Sequence, residues 1–221
     1  MCSAVSLYFH ANIDYDISMK GCGKMNLFQQ LDQMVEKQDG LLRTAQVVEA
    51  GISKSVFYEY VKDRKMERVA HGIYVSKDSW IDAMYLIHLR FGQAVFSHET
   101  ALFFHDLTDR EPMPYTVTLK TGYNPASLKA EGVQVYTIKP ELYGVGLTTA
   151  QTPFGHPVPI YDMERTICDL LRSRNRIEIQ TYQEALKAYA RRKDKNLRRL
   201  MQYAGVFRVE KILRQYLEVL L

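Results

Sequence analysis

Lys54, Ser55, Tyr58 and Lys62 fall on one side of a helix that turns about 100° per residue, while Val56, Phe57, Tyr60 and Val61 gather on the other. The first set is suited to a nucleic acid. Ammonium groups neutralise phosphates, and hydroxyl and phenol groups reach base edges or sugars. Just downstream, Arg68-Val69-Ala70 and Ile73-Tyr74-Val75 read as two short strands around His71-Gly72, with Arg64, Arg68, His71 and Lys77 placed to meet a phosphate backbone.

The elements that must hold these groups are legible nearby. Thr44 can cap a helix that ends at Gly51, because a hydroxyl satisfies free backbone donors and glycine accepts a left-handed exit. Ser53 can cap the next helix, the one with the basic face. Leu27, Phe28, Leu31, Met34 and Val35 recur at helical spacing upstream, so a third helix can close a small core. Helix, helix, turn, helix and strand-turn-strand together predict a winged helix-turn-helix over residues 25–77. Two plainer facts count on the other side: a polar face is common to surface helices, and some winged helices bind protein.

With 221 residues the chain has room for a second, larger domain, expected over residues 78–221. Hydrophobic content of 47% and charged content of 24% are globular values. No apolar run approaches the ~18 to 20 residues of a membrane span, and Met1–Tyr15 has neither a basic leader nor a long apolar centre. A cytoplasmic protein with no membrane partner is expected. Residues 1–24 lack helical periodicity and read as a mobile leader, with Met25 as a second possible start. Cys2, Cys22 and Cys168 form neither an even disulfide framework nor a metal motif, and Cys168 reads as core.

The net charge of +4 conceals a segregation. Residues 172–214 carry 13 basic and 4 acidic side chains, whereas residues 78–171 carry 6 basic and 11 acidic. Lys187, Arg191, Arg192, Arg198 and Arg199 are therefore candidates for a second basic surface, against the simpler reading of a solvated helix face. The larger domain reads as α+β. Helices are expected over Ser79–Phe91, Ser97–Leu107 and from an Asp162 cap onward, strands over Tyr115–Lys120, Val133–Lys139 and Pro157–Ile160, and a helical end over Ile179–Ala190, Lys195–Tyr203 and Val206–Leu221.

GISKSVFYEYVKDRKMERVAHGIYV, FSHETALFFHDL, YDMERTICDLLRSR and VEKILRQYLEVLL together resemble segments of the type IV abortive-infection antitoxins called AbiEi, and the likeness runs over nearly the whole chain from Met25. The first segment is moderately specific, being shared by many winged helices, and the set is more so. The resemblance implies a bacterial autorepressor that binds operator DNA at inverted repeats. It further implies an antitoxin that counters a co-expressed nucleotidyltransferase-like toxin without a stable complex. The residues before Met25 depart from the family pattern.

Enzymatic readings find little support. Nuclease domains fused to winged helices hold a divalent cation with an Asp and an ExK set, and no ExK occurs in the chain. His98 and His105 stand seven residues apart, about 10.5 Å along a helix axis and too far for one metal. Glu99 and Asp106 share that spacing, so a polar rim is expected there. There is no GxSxG elbow or phosphate loop. Neither catalysis nor a cofactor is expected. A nucleic-acid-dependent enzyme and a winged-helix protein adaptor remain the alternatives.

Overall fold

The computed structural model describes residues 26–220. The expected leader, residues 1–24, lies outside them. The described chain is mixed α/β with two sheets, and it divides into two compact units between Ile81 and Asp82.

The first unit runs α1 (26–37), β1 (Leu41–Arg43), α2 (Thr44–Glu49), α3 (Lys54–Asp63), β2 (Glu67–Ala70) and β3 (Ile73–Val75). Its sheet is antiparallel in the order β1-β3-β2. Strand β1 was not expected. It corrects the cap assignment: Arg43, at the end of the strand, is the N-cap of α2 and supplies no side-chain bond. Thr44 is already helical, because pairing with β3 commits the chain up to that point and the Thr44 amide donates to the Gly72 carbonyl. Ser53 does cap α3, its hydroxyl accepting from the Val56 amide at 3.4 Å. Leu31, Leu42, Val47, Ile52, Phe57, Tyr60 and Met66 form the core, so the apolar side of α3 faces inward as its spacing predicts.

The second unit is built on a five-stranded mixed sheet in the order β6-β5-β4-β8-β7. The strands are β4 (Val95–Phe96), β5 (Thr116–Lys120), β6 (Gln134–Ile138), β7 (Leu147–Gln151) and β8 (Pro157–Tyr161). Around them lie α4 (Ala83–Arg90), α5 (His98–Phe104), α6 (Ala126–Ala130), α7 (Pro140–Tyr143) and α8 (Met163–Ser173), then α9 (Ile179–Arg191), α10 (Leu197–Val206) and α11 (Glu210–Leu220). Helix α4 starts later than its periodicity suggests, because Asp82 caps it by accepting from the Tyr85 amide at 3.0 Å. Asp162 caps α8 as expected, accepting from the Arg165 amide at 2.8 Å. Val206 ends α10 rather than opening the last helix, which starts at Glu210. Cys168 is fully buried.

The main departure from expectation lies in α8. Its polar residues are as deeply buried as Ile167, Leu170 and Leu171: Arg165 is 0% exposed, Asp169 2% and Glu164 3%. Arg165 donates from Nε to Asp169 Oδ2 at 2.9 Å and from Nη1 to the Leu142 and Val145 carbonyls at 3.0 and 2.6 Å. Its guanidinium lies 4.0 Å from the Tyr161 ring centroid and 4.2 Å from that of Phe207. A buried charge persists only when it is paired and most of its donors are bonded. Gly146, at φ +73°, gives the room: a Cβ there would sit 2.6 Å from the Arg165 Cβ.

Two stability predictions follow from these cores. Phe57→Ala should cost about 3 to 5 kcal/mol in chemical denaturation of the full chain, as large aromatic deletions do. A cost below about 1 kcal/mol would mean that Phe57 does not anchor α3. Arg165→Met should cost roughly 3 to 5 kcal/mol by leaving the buried Asp169 with only its longer 3.4 Å contact to Arg172, and adding Asp169→Leu should recover much of that loss. A double variant no more stable than the single would show that the two side chains act separately.

Candidate nucleic-acid interface

Helix α3 holds Phe57 and Tyr60 in the core and leaves Lys54, Ser55, Tyr58 and Lys62 exposed. The eight-residue separation of the two lysines corresponds to about 12 Å along the axis, so their ammonium groups can reach phosphates roughly a groove width apart. Tyr58 is 49% exposed, and its ring leans on Tyr74 of β3, with centroids 6.3 Å apart. Tyr74 in turn meets Phe57 edge-on at 5.3 Å. The exposed phenol is thus seated on an aromatic ladder between α3 and the sheet. Ser55 shares a 3.0 Å hydroxyl contact with the capping Ser53.

The strand-turn-strand β2–β3 carries a bulge between Arg68 and Ala70 and turns at Gly72, where φ is +69°. Arg68 and His71 are exposed and bonded to each other, Arg68 Nη2 lying 3.0 Å from His71 Nδ1. A guanidinium can only donate, so Nδ1 accepts and the ring hydrogen lies on Nε2 in this bonded arrangement. Lys65 and Lys77 are also exposed.

Arg64 departs from its expected place in the wing. It is the C-cap residue of α3, and it bonds Asp32 of α1 through two nitrogens, Nε at 3.1 Å and Nη2 at 2.7 Å. Tyr60 donates to the same carboxylate at 2.7 Å, and burial together with that neighbour pushes the phenol up, so it stays protonated. The bidentate geometry ties α3 to α1. Sequence spacing could not reveal it, since Asp32 lies 32 residues away.

Residues 26–81 contain eight basic and eight acidic side chains, so attraction for an anion comes from local arrangement and not from the charge of the whole unit.

The second candidate surface is only partly available. Arg192 is paired with Asp194 through two 2.8 Å bonds, and Arg199 lies 4.0 Å from Asp162 and 3.9 Å from Glu164. Two of the five candidate side chains are thus engaged by carboxylates. Lys187, Arg191 and Arg198 are exposed on α9 and α10.

The expected polar rim around His98 is corrected. Helix α5 ends at Phe104, so His105 lies beyond it and bonds the Tyr161 carbonyl at 2.7 Å. His98 itself is buried, stacked on Tyr136 with centroids 3.5 Å apart. The reason is tertiary: Ser97 bonds His98 and Thr118 instead of capping α5, which draws the ring inward. Among the described residues no cluster of three or more His, Cys, Asp or Glu could hold a metal, and no helix is long and apolar enough to cross a membrane.

No protein-family model matches the chain, and no curated protein matches it. Its fold is similar to that of the Rv2827c protein from Mycobacterium tuberculosis, known from a crystal structure. The TM-score is 0.58 at 13% sequence identity, over 86% of this chain and 77% of that one. At that identity the likeness is one of fold.

If α3 contacts operator DNA, replacing Lys54 and Lys62 together by alanine weakens binding to a promoter duplex and flattens the dependence of log K on log salt by roughly 1.8, two phosphate contacts at about 0.9 each. Gel shifts across a salt series measure this. Unchanged affinity in a folded double variant would remove α3 as the contact helix.

Proposed function

We propose that the first unit is a winged helix that binds operator DNA, and that the chain is an autorepressor and antitoxin of the AbiEi kind. The observation that carries the DNA-binding half is the division of α3: Phe57 and Tyr60 fix one side in the core, and Lys54, Ser55, Tyr58 and Lys62 project from the other. The order helix, strand, helix, helix, strand, strand, with the sheet arranged β1-β3-β2, supports the winged-helix reading. On this reading α3 enters the major groove and the β2–β3 turn brings Arg68, His71 and Lys77 to the flanking backbone.

The antitoxin half rests on the resemblance of the three C-terminal segments. Two of them meet in the second unit, where α5 packs on α8 and His98 Nε2 lies 3.1 Å from Ser173 Oγ. The third forms α11, which packs on α9 and α10. These segments therefore share one core rather than three separate surfaces, which supports reading them as one functional body. The partners on this proposal are operator DNA with inverted repeats and a nucleotidyltransferase-like toxin countered without a stable complex.

The charge balance of the first unit favours one other reading, a winged helix that recognises protein. A promoter reporter and a toxin-rescue growth assay, run side by side in cells, separate the two. The full-length Lys54→Ala/Lys62→Ala variant should lose repression and keep rescue. A variant that represses normally would favour the protein-binding reading, and wild-type protein that never rescues would remove the antitoxin reading.

A further inference from the structure

A cavity of about 350 Å³ opens in the second unit beside β5, β6 and α8, and its lining includes His98, Arg165, Asp169, Arg172, Ser173 and Arg176. Three guanidiniums against one carboxylate leave it about two positive charges. The Arg165 guanidinium is wholly buried, and its Nη2 has no hydrogen-bond partner although Nε and Nη1 are both bonded. A buried donor of that strength without an acceptor is costly, and an anion relieves the cost.

A chain of hydroxyls leads to the same place. Thr118 Oγ1 donates to Ser97 Oγ at 2.8 Å, so the Ser97 proton is left for His98 Nδ1, 3.0 Å away. His98 Nε2 then carries the ring hydrogen and donates to Ser173 Oγ at 3.1 Å. This frees the Ser173 proton to donate into the cavity. Burial, reinforced by the charges of Arg165, Arg172 and Arg176, holds the His98 pKa well below the ordinary value, which keeps the ring neutral as the chain requires. His98 also adopts a left-handed backbone conformation, φ +49°, a strain that structures retain mostly where a side chain must be aimed.

We propose that this cavity is a phosphate-binding site, filled by inorganic phosphate or by the phosphoryl group of a mononucleotide. Planar guanidinium forks and a hydroxyl donor match a compact anion with several oxygens and a charge near minus two. The volume is near the lower end of small-ligand sites, which run from about 300 to 1,000 Å³. Tyr136 offers no free ring face to a base, since His98 covers it at 3.5 Å and Arg176 at 4.4 Å. Recognition therefore rests on the phosphate and is indifferent to the base.

The test is calorimetric titration of the full-length protein with sodium phosphate, AMP, GMP, adenosine and a duplex oligonucleotide, each against sodium chloride at equal ionic strength. Phosphate or the two nucleotides should bind saturably, AMP and GMP within about threefold of each other, and adenosine should not bind. Whichever of phosphate and nucleotide is tighter identifies the source. Arg172→Ala/Arg176→Ala alters two exposed guanidiniums, and it should weaken binding by at least about tenfold with circular dichroism unchanged. Arg214→Ala, whose side chain is paired with Glu210, and Lys54→Ala/Lys62→Ala should leave it unaltered. Absence of saturable binding by phosphate and by both nucleotides, or an unaffected Arg172→Ala/Arg176→Ala variant, would overturn the site. Duplex binding that neither phosphate nor nucleotide competes away would replace it with an open basic surface.

Discussion

The second unit depends on one buried cation. The Arg165 guanidinium stands between the rings of Tyr161 and Phe207, holds the Asp169 carboxylate, and bonds the carbonyls of Leu142 and Val145. Four pieces of chain meet on it: the end of α7 with the turn into β7, the end of β8, helix α8 itself, and the residue that follows α10. Low local dielectric makes each of these contacts strong and makes any missing one expensive, so the arrangement is satisfied nearly in full or not at all. The single donor left over is Nη2, and Arg165 is among the residues that line the cavity with three guanidiniums and one carboxylate.

The same logic operates around α8 more widely. Glu164 accepts from the Asn196 amide at 2.8 Å and faces Tyr189, so it fixes the start of α10 against α9. Arg199 approaches that carboxylate and Asp162. The acidic middle of the chain and its basic end are therefore complementary parts of one core, and the segregation of charge along the sequence is partly cancelled in space. What remains exposed and basic is a smaller set than the count of side chains suggests.

In the first unit the organising contact is lighter. Asp32 gathers the Tyr60 phenol and the Arg64 guanidinium, which fixes the rotation and the far end of α3 against α1. Arg64 is half exposed, so this ion pair adds little stability by itself. Its effect is geometric, because the side of α3 that faces solvent is decided once Phe57, Tyr60 and Arg64 are placed.

Local chemistry was legible in the sequence. The Ser53 and Asp162 caps, the inward face of α3, the presence of β5, β6 and β8 and the helical end all rest on side chains close in the chain, although β5 buries both of its faces where alternation implies one. Strands β1, β4 and β7 were not legible. They are two to five residues long, and β7 is mostly exposed, so only the pairing partner defines them. The burial of Glu164, Arg165, Asp169 and His98 was not legible either, because a charge or a polar ring is usually solvated. Their partners lie at Val145, Tyr189, Asn196, Phe207 and Ser173, up to 75 residues away. The sequence by itself determined which faces could be buried, since hydrophobic period is a local property. Tertiary structure alone decided which charges went in with them, because a buried charge is stable only when distant groups complete its bonds.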